Sequence, residues 1–291
     1  MNMDTIVNSL EAKCRETAKW QEGDYIGPDN LHYCGKCNTA KQVIIIKPWN
    51  GEVSTPYCLC KCEAKKEAAE RAAWEEMQEA RRLADRKAEA IKSESYKNMT
   101  FSNADMNKGN QKYLIMASSY VDKWPEVKRN NNSMIFSGGC GVGKTFVAGC
   151  IANDLLDMGV KVYMQTMVDM LAQASDFDTV GELMQKVVDC DLLIIDDFGA
   201  QRETDFALEK VFDIVDKRIR SGKPFIVTTN LSKADLHSPD GIKQARIYSR
   251  LLEGSAIVEF KGVDIRLENG KNQAQQFLDD LLKGPEQQGL F

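Results

Sequence analysis

One segment constrains this chain more than any other. The apolar run Met134-Ile135-Phe136 leads directly into Gly138-Gly139-Cys140-Gly141-Val142-Gly143-Lys144-Thr145, and an apolar, helix-forming stretch runs on from Phe146 to Leu156. G-x-x-x-x-G-K-T between a strand and a helix is a phosphate-binding loop. Its glycines let the backbone wrap closely round an anion, so that amide N–H groups and the helix N-terminus point at it. Lys144 adds a point charge, and the Thr145 hydroxyl is a Mg²⁺ ligand. Gly138 through Phe146 are therefore the expected nucleotide-binding residues.

From about Met99 onward, short apolar runs alternate with longer amphipathic ones, the pattern of an α/β domain with a parallel sheet. Strands are expected near Ser133–Ser137, Lys161–Gln165, Leu192–Asp196, Pro224–Thr229 and Ala256–Phe260, with helices filling the gaps. The third of these ends in Asp196-Asp197, 51 residues after Thr145. A carboxylate at the end of a buried strand suits the metal side of a nucleotide site: Asp196 would hold Mg²⁺, and Asp197 would orient or deprotonate an attacking water. Alternatively, two adjacent acids after a strand cap the next helix. If the Pro224–Thr229 strand lies between the other two, Asn230 reaches the γ-phosphate or its water; the plainer reading is an Asx turn.

The N-terminal third differs in character. Ile6, Val7, Leu10, Cys14 and Ala18 fall at helical spacing. Residues 23 to 60 are punctuated by Gly and Pro around short segments such as Val43-Ile44-Ile45-Ile46, as in a small hairpin-rich module. Lys61 to Lys97 contains neither Gly nor Pro and is dominated by Ala, Glu, Lys and Arg, which predicts a long solvated connecting helix. Within the hairpin module, Cys34-x-x-Cys37 is followed by Cys58-Leu59-Cys60-Lys61-Cys62. Paired cysteines on two turns point to a tetrahedral Zn²⁺ site. Five thiols compete for four positions, with Cys34, Cys37 and Cys62 ahead of Cys60 and then Cys58. His32 is expected to be an exposed turn residue rather than a ligand. Cys14, Cys150 and Cys190 are expected in apolar packing.

Charge and length narrow the rest. With 38 basic and 43 acidic residues in 291, the chain carries a net charge of −5, too acidic to coat duplex DNA by electrostatics alone. No apolar run is long enough to span a bilayer. Asp4, Glu11 and Glu16 interrupt any signal-peptide core, so a cytoplasmic protein with no membrane contact is expected.

The phosphate loop, Asp196-Asp197 and Asn230 together resemble the AAA+ family of ATPases. LLIIDDFG, PFIVTTNLS and ARIYSRLLEG are similar to its DnaC/IstB group, over roughly Met99 to Arg266. That group includes bacterial and phage replicative helicase loaders and ATP-binding subunits of some transposition systems. The resemblance implies an AAA+ fold with a five-stranded parallel sheet, helices on both faces and no full helical lid. It implies ATP and Mg²⁺ as ligands beside Zn²⁺, and homo-oligomers in which Arg250, or less favourably Arg246, enters a neighbour's nucleotide site. Arg266 resembles a second sensor arginine, and Arg218 falls where loaders commonly carry an arginine of unassigned role. A cysteine-rich element before the ATPase domain is shared with many phage loaders and generally lacking in the transposition subunits.

The expected organisation is an N-terminal amphipathic helix (1–30), a zinc-binding hairpin module (31–62), a helical linker (63–98), an AAA+ domain (99–270) and a C-terminal helix and tail (271–291), with the last helix over Gln273–Leu282. The implied function is ATP-dependent loading of a replicative hexameric helicase onto single-stranded DNA, with the N-terminal region holding the helicase. Trp49, Lys41 and Lys47 would supply a small stacking and phosphate patch. The alternatives are a transposition helper, a nucleotide-gated helicase adaptor with negligible turnover, and a zinc-dependent regulator with an inert ATPase fold.

Cys140 sits inside the phosphate loop. Alkylation of Cys140 is expected to block adenine-nucleotide binding; full binding after stoichiometric modification there would refute this.

Overall fold

The computed structural model describes residues 20–47, 50–91, 93–105, 109–201, 204–239 and 241–282. The helix expected over 4–19, Cys14 and Trp49 lie outside them. The chain forms two compact units that meet in sequence between Arg81 and Arg82.

The first unit contains two small antiparallel pairs, β1 (Tyr25–Ile26) with β2 (His32–Tyr33) and β3 (Ile45–Ile46) with β4 (Val53–Ser54). Helix α1 (Lys61–Ala90) follows and continues into the second unit, as the Gly- and Pro-free composition predicts. The first unit has almost no apolar core. Among its described residues only Cys34 and Cys60 are buried apolar side chains, whereas Ile26, Ile44, Ile46 and Val53 are exposed. The β-branched run from Val43 forms a strand only over its last two residues, since nothing in the unit covers a longer one.

Two expectations are corrected here. His32 is not exposed: it is 97% buried, stacks on Trp20 at 4.1 Å between ring centroids, and places Nε2 3.3 Å from Asp24 Oδ2. Nor can Lys41 serve a phosphate patch. It is buried, with Nζ 2.8 Å from Asp24 and 3.1 Å from Glu63, and so is already neutralised. That ammonium, with the Gln21 and Gly35 backbone N–H groups, holds the Asp24 carboxyl well below the usual carboxylate range. Lys47 is drawn 3.2 Å from Glu52.

In the second unit the elements after α1 are α2 (Glu94–Lys97), α3 (Gln111–Asp122), α4 (Trp124–Asn130), β5 (Ser133–Gly138), α5 (Lys144–Asp157), β6 (Val162–Thr166), α6 (Met167–Ala174), α7 (Phe177–Asp189), β7 (Leu192–Phe198), α8 (Asp205–Arg220), β8 (Phe225–Thr229), α9 (Lys233–His237), α10 (Ile242–Leu252), β9 (Ser255–Phe260) and α11 (Ile265–Leu282). The strands form one parallel sheet in the order β6-β7-β8-β5-β9, so β8 does lie between the strand of the paired acids and the strand of the phosphate loop.

Period-two alternation divides each strand between two cores. Met134, Phe136, Leu192, Ile194 and Ile226 face α3 and α5 on one side. Ile135, Leu193, Ile195, Phe225 and Val227 face α6, α7, α8 and α10 on the other. Burial on both faces is why these strands read as continuous apolar runs rather than alternating ones. Helix α11 begins at Ile265, eight residues before its expected start at Gln273, so Arg266 lies in its first turn rather than in a loop.

Arg218, which sequence alone left without a role, is 99% buried on α8. Its Nη1 donates to the carbonyls of Val187 and Cys190 at 2.9 Å, and its Nη2 to those of Asp191 at 2.9 Å and Pro224 at 2.5 Å. One guanidinium thus satisfies carbonyls at the C-terminal end of α7 and at the entries to β7 and β8. Arg218→Ala removes a donor from each of four carbonyls and is expected to lower the unfolding free energy by roughly 2–4 kcal/mol. This would be read as a lower urea midpoint at unchanged m-value.

Candidate functional site: a nucleotide cleft and a four-cysteine cluster

The loop between β5 and α5 turns through Gly141 and Gly143, whose φ values of 70° and 95° are in the left-handed region. A Cβ at Gly141 would also sit 1.8 Å from Asp264 Oδ1, so any side chain there would displace that carboxylate. Asp264 in turn accepts from the backbone N–H groups of Arg266 and Leu267 at 2.9 and 3.1 Å, and Ile265 N donates to Gly141 O at 3.0 Å. The phosphate loop and the start of α11 are therefore braced against each other, which brings Arg266 to the cleft.

Lys144 is buried, and its Nζ donates to Gly138 O at 2.9 Å, Gly139 O at 2.6 Å and Asn230 Oδ1 at 2.8 Å. Burial lowers its pKa from the usual lysine value. Asn230, just past β8, is thus in the site beside Lys144.

The paired acids diverge. Asp196 is 99% buried. Its Oδ1 accepts from Thr145 Oγ1 at 2.8 Å and Thr228 Oγ1 at 2.5 Å, and its Oδ2 accepts from Tyr96 Oη at 2.7 Å. Asp197 is a non-glycine residue at φ 50°, and the β7–β8 register shifts between Ile195 and Phe198. Such a bulge re-aims a side chain, and here it turns Asp197 into the cleft. Burial and the neighbouring Asp196 raise the Asp197 pKa above the usual carboxylate value.

The cleft encloses about 310 Å³, lined on its polar side by Cys140, Lys144, Thr145, Asp197, Asn230 and Arg266 and on its apolar side by Met99, Phe146 and Ile265. Val142 is buried beneath the loop. Thr145 and Asp196 offer hard oxygen donors 2.8 Å apart, a fit for Mg²⁺ beside a triphosphate. Arg250 and Arg246 do not line this cleft. Arg250 lies 3.5 Å from Asp216 and 3.4 Å from Glu253, and Arg246 sits over the Phe212 ring at 4.8 Å.

Tyr96 and Thr228 escape sequence reasoning. Thr228 lies within the PFIVTTNLS segment but has no role assigned there, although a threonine one strand away from Asp196 is a signal once the sheet order is known. Tyr96 lies 100 residues from its partner Asp196, outside every motif. Burial first, and then the Asp196 charge, push its phenol well above the usual tyrosine value, so it remains a hydrogen-bond donor.

In the first unit, Cys34, Cys37, Cys60 and Cys62 bring their four Sγ atoms within 4.8 Å of one another. Cys34–Cys62 and Cys60–Cys62 are 3.5 and 3.1 Å apart. A tetrahedral Zn²⁺ with Zn–S of about 2.3 Å sets sulfurs about 3.8 Å apart, so the set fits this metal. The Thr39 hydroxyl, 2.9 Å from Cys37 Sγ, draws that thiol down to about 5. Cys58 lies outside the cluster, with Sγ 3.8 Å from Ala40 O. Cys150 and Cys190 are buried in the second unit's two cores.

A phosphate loop before α5, paired acids after β7 and the sheet order β6-β7-β8-β5-β9 define a P-loop protein of the AAA+ class. The sequence profile of the IstB-like ATP binding protein family matches residues 67–274, and the chain belongs to that family. It is 30% identical over 168 residues to the replicative helicase loader DnaC of Escherichia coli strain K12, a match covering 56% of this chain and 66% of that one. The chain thus spans just under two thirds of that relative's length. A crystal structure of DnaI aligns at a TM-score of 0.50 with 21% identity, covering 59% of this chain and 93% of that one. One of the DnaC helicase loader aligns at 0.50 with 21% identity, covering 58% and 100%. Both share the fold. Among the described residues no helix is long and apolar enough to cross a membrane.

The cysteine geometry separates two thiols that sequence left in competition. Cys60→Ser is expected to lower bound zinc and expose the first unit to proteolysis, whereas Cys58→Ser should retain one zinc per chain, as read by native mass spectrometry.

Proposed function

We propose that this chain is an ATPase that loads a replicative hexameric helicase onto single-stranded DNA during replication initiation, acting in the cytoplasm. The observation that carries the reading is the convergence of Lys144, Thr145, Asp196, Asp197 and Asn230 at one end of the sheet in a chain related to a replicative helicase loader.

In this reading magnesium-bound ATP supplies the γ-phosphoryl group that water accepts. The chain's own residues do the positioning. Backbone N–H groups of Gly139 to Thr145 and the N-terminus of α5 bind the phosphates, and Lys144 leaves the loop carbonyls to neutralise them. Asp196 and Thr145 hold the metal. Asp197, with its raised pKa, takes the water's proton, and Asn230 orients that water. Arg266 reaches the phosphates from the start of α11. Arg250 completes the site of an adjacent protomer. Its pairs with Asp216 and Glu253 are long, at 3.5 and 3.4 Å, and Asp216 keeps its pair with Arg220 at 2.6 Å when Arg250 leaves. Zinc on Cys34, Cys37, Cys60 and Cys62 organises the first unit, which with the preceding segment engages the helicase.

A second reading, a nucleotide-gated adaptor with negligible turnover, has its own support. Lys144 is fully engaged with protein partners, a resting arrangement that nucleotide would have to break. Asp197→Ala distinguishes the two. Loss of both turnover and helicase deposition on a primed single strand supports the ATPase loader, whereas loss of turnover alone makes ATP a switch ligand. Lys144→Ala should abolish deposition under either reading, and normal deposition by it would refute both. Affinity purification of the full chain should bring down a hexameric helicase; a transposase in its place would favour the transposition helper.

A further inference from the structure

The segment between α1 and α3 carries more than a connection. Tyr96 is 93% buried, and its hydroxyl donates to Asp196 Oδ2 at 2.7 Å. Its backbone is fixed as firmly. Asn153 of α5, 99% buried, donates through Nδ2 to Tyr96 O and Met99 O at 2.9 Å each and to Gly149 O at 3.0 Å. Gly149 lets the segment sit directly on α5, because a Cβ there would meet Met99 Cβ at 2.6 Å. Upstream, Ile91 makes a parallel bridge with Met164 of β6, the edge strand beside β7. Ile91 and residues 93 to 99 are thus anchored to the sheet edge, to the helix of the phosphate loop and, through Tyr96, to Asp196.

The orientation of a carboxylate is set by the donors on both of its oxygens. Thr145 and Thr228 hold Oδ1; Tyr96 holds Oδ2. We propose that Tyr96 is a positioning residue for the magnesium site, its hydroxyl fixing the rotation of Asp196 so that Oδ1 stays turned toward Thr145. The inference rests on the nucleotide reading of the cleft and adds to it a residue outside the loop and strand motifs. Coupling of this kind is reciprocal. If Tyr96 favours metal binding at Asp196, metal at Asp196 tightens the Tyr96 contact and with it the segment that leaves α1.

The test uses the full-length, zinc-loaded chain and a fluorescent non-hydrolysable ATP analogue, titrated in magnesium and in EDTA. Tyr96→Phe removes one oxygen and keeps the ring. Because the hydrogen bond exists with and without metal, only its positioning share is lost, which should weaken analogue binding in magnesium by about fivefold to tenfold, with EDTA affinity unchanged to about twofold. An unchanged magnesium-to-EDTA ratio would overturn the proposal, as would an equal loss in both conditions, which would make Tyr96 a packing anchor only. A wild-type chain with no magnesium advantage would overturn the nucleotide reading itself, and that result appears before any variant is made.

A second measurement needs no substitution. Hydrogen exchange at the amides of residues 96–99 should slow when magnesium joins the analogue-bound wild-type chain. Equal exchange with and without magnesium would also overturn the proposal.

Discussion

The hold on Asp196 organises the second unit. A carboxylate that is 99% buried is tolerable only where donors replace the water it has lost. Here the donors are hydroxyls from three separate parts of the chain: Thr145 at the start of α5, Thr228 within β8 and Tyr96 before α3. For all three to reach one carboxylate, β7 must lie beside β8, α5 must cross the sheet, and residues 96–99 must rest on α5. The charge that the site chemistry needs is thus also a geometric reference for the fold. The strained backbone at Asp197 belongs to the same arrangement. A left-handed residue immediately after a fixed one lets two neighbouring acids serve different purposes, one gripping protein hydroxyls and the other facing the cleft.

The same economy governs the far end of the sheet. Arg218 does with one side chain what several ordered waters do elsewhere, supplying N–H donors to four carbonyls where a helix ends and two strands begin. No carboxylate pairs with it in those contacts. Its charge is delocalised over a planar group and balanced by carbonyl dipoles. An arginine at this position is therefore explained by packing and hydrogen bonding, with no part in the cleft, a role that the family resemblance alone leaves unassigned.

The parallel sheet was largely legible in sequence because strands covered on both faces leave unmistakable apolar runs. The observed β5 to β9 agree with the expected spans to within one residue at their starts and one or two at their ends. The phosphate loop was legible because its chemistry fixes residue type at each position. What escaped is what depends on three-dimensional juxtaposition. The bulge at Asp196–Asp197 is set by register with β8. Tyr96 gains its meaning from a partner 100 residues away, and α11 starts early because Asp264 caps it while bracing Gly141. In the first unit, His32 and Lys41 reverse the usual expectation for polar residues in a Gly- and Pro-punctuated stretch. With few apolar groups available, the unit buries a stacked imidazole and an ion-paired ammonium instead.

That reversal explains why the two units must be stabilised by different means. The second buries two layers of aliphatic and aromatic side chains against a five-stranded sheet, and the hydrophobic effect suffices for it. The first buries only Cys34, Cys60, His32 and Lys41 among its described residues, too little apolar surface to offset the ordering of some sixty residues. A zinc ion held by its four cysteines would contribute on the order of 10 kcal/mol, comparable to the whole stability of a small domain. The four cysteines are therefore best understood as the core of that unit, with the Asp24–Lys41–Glu63 pairs closing round it. Its exposed Ile26, Ile44, Ile46 and Val53 are then affordable, because the fold does not depend on burying them.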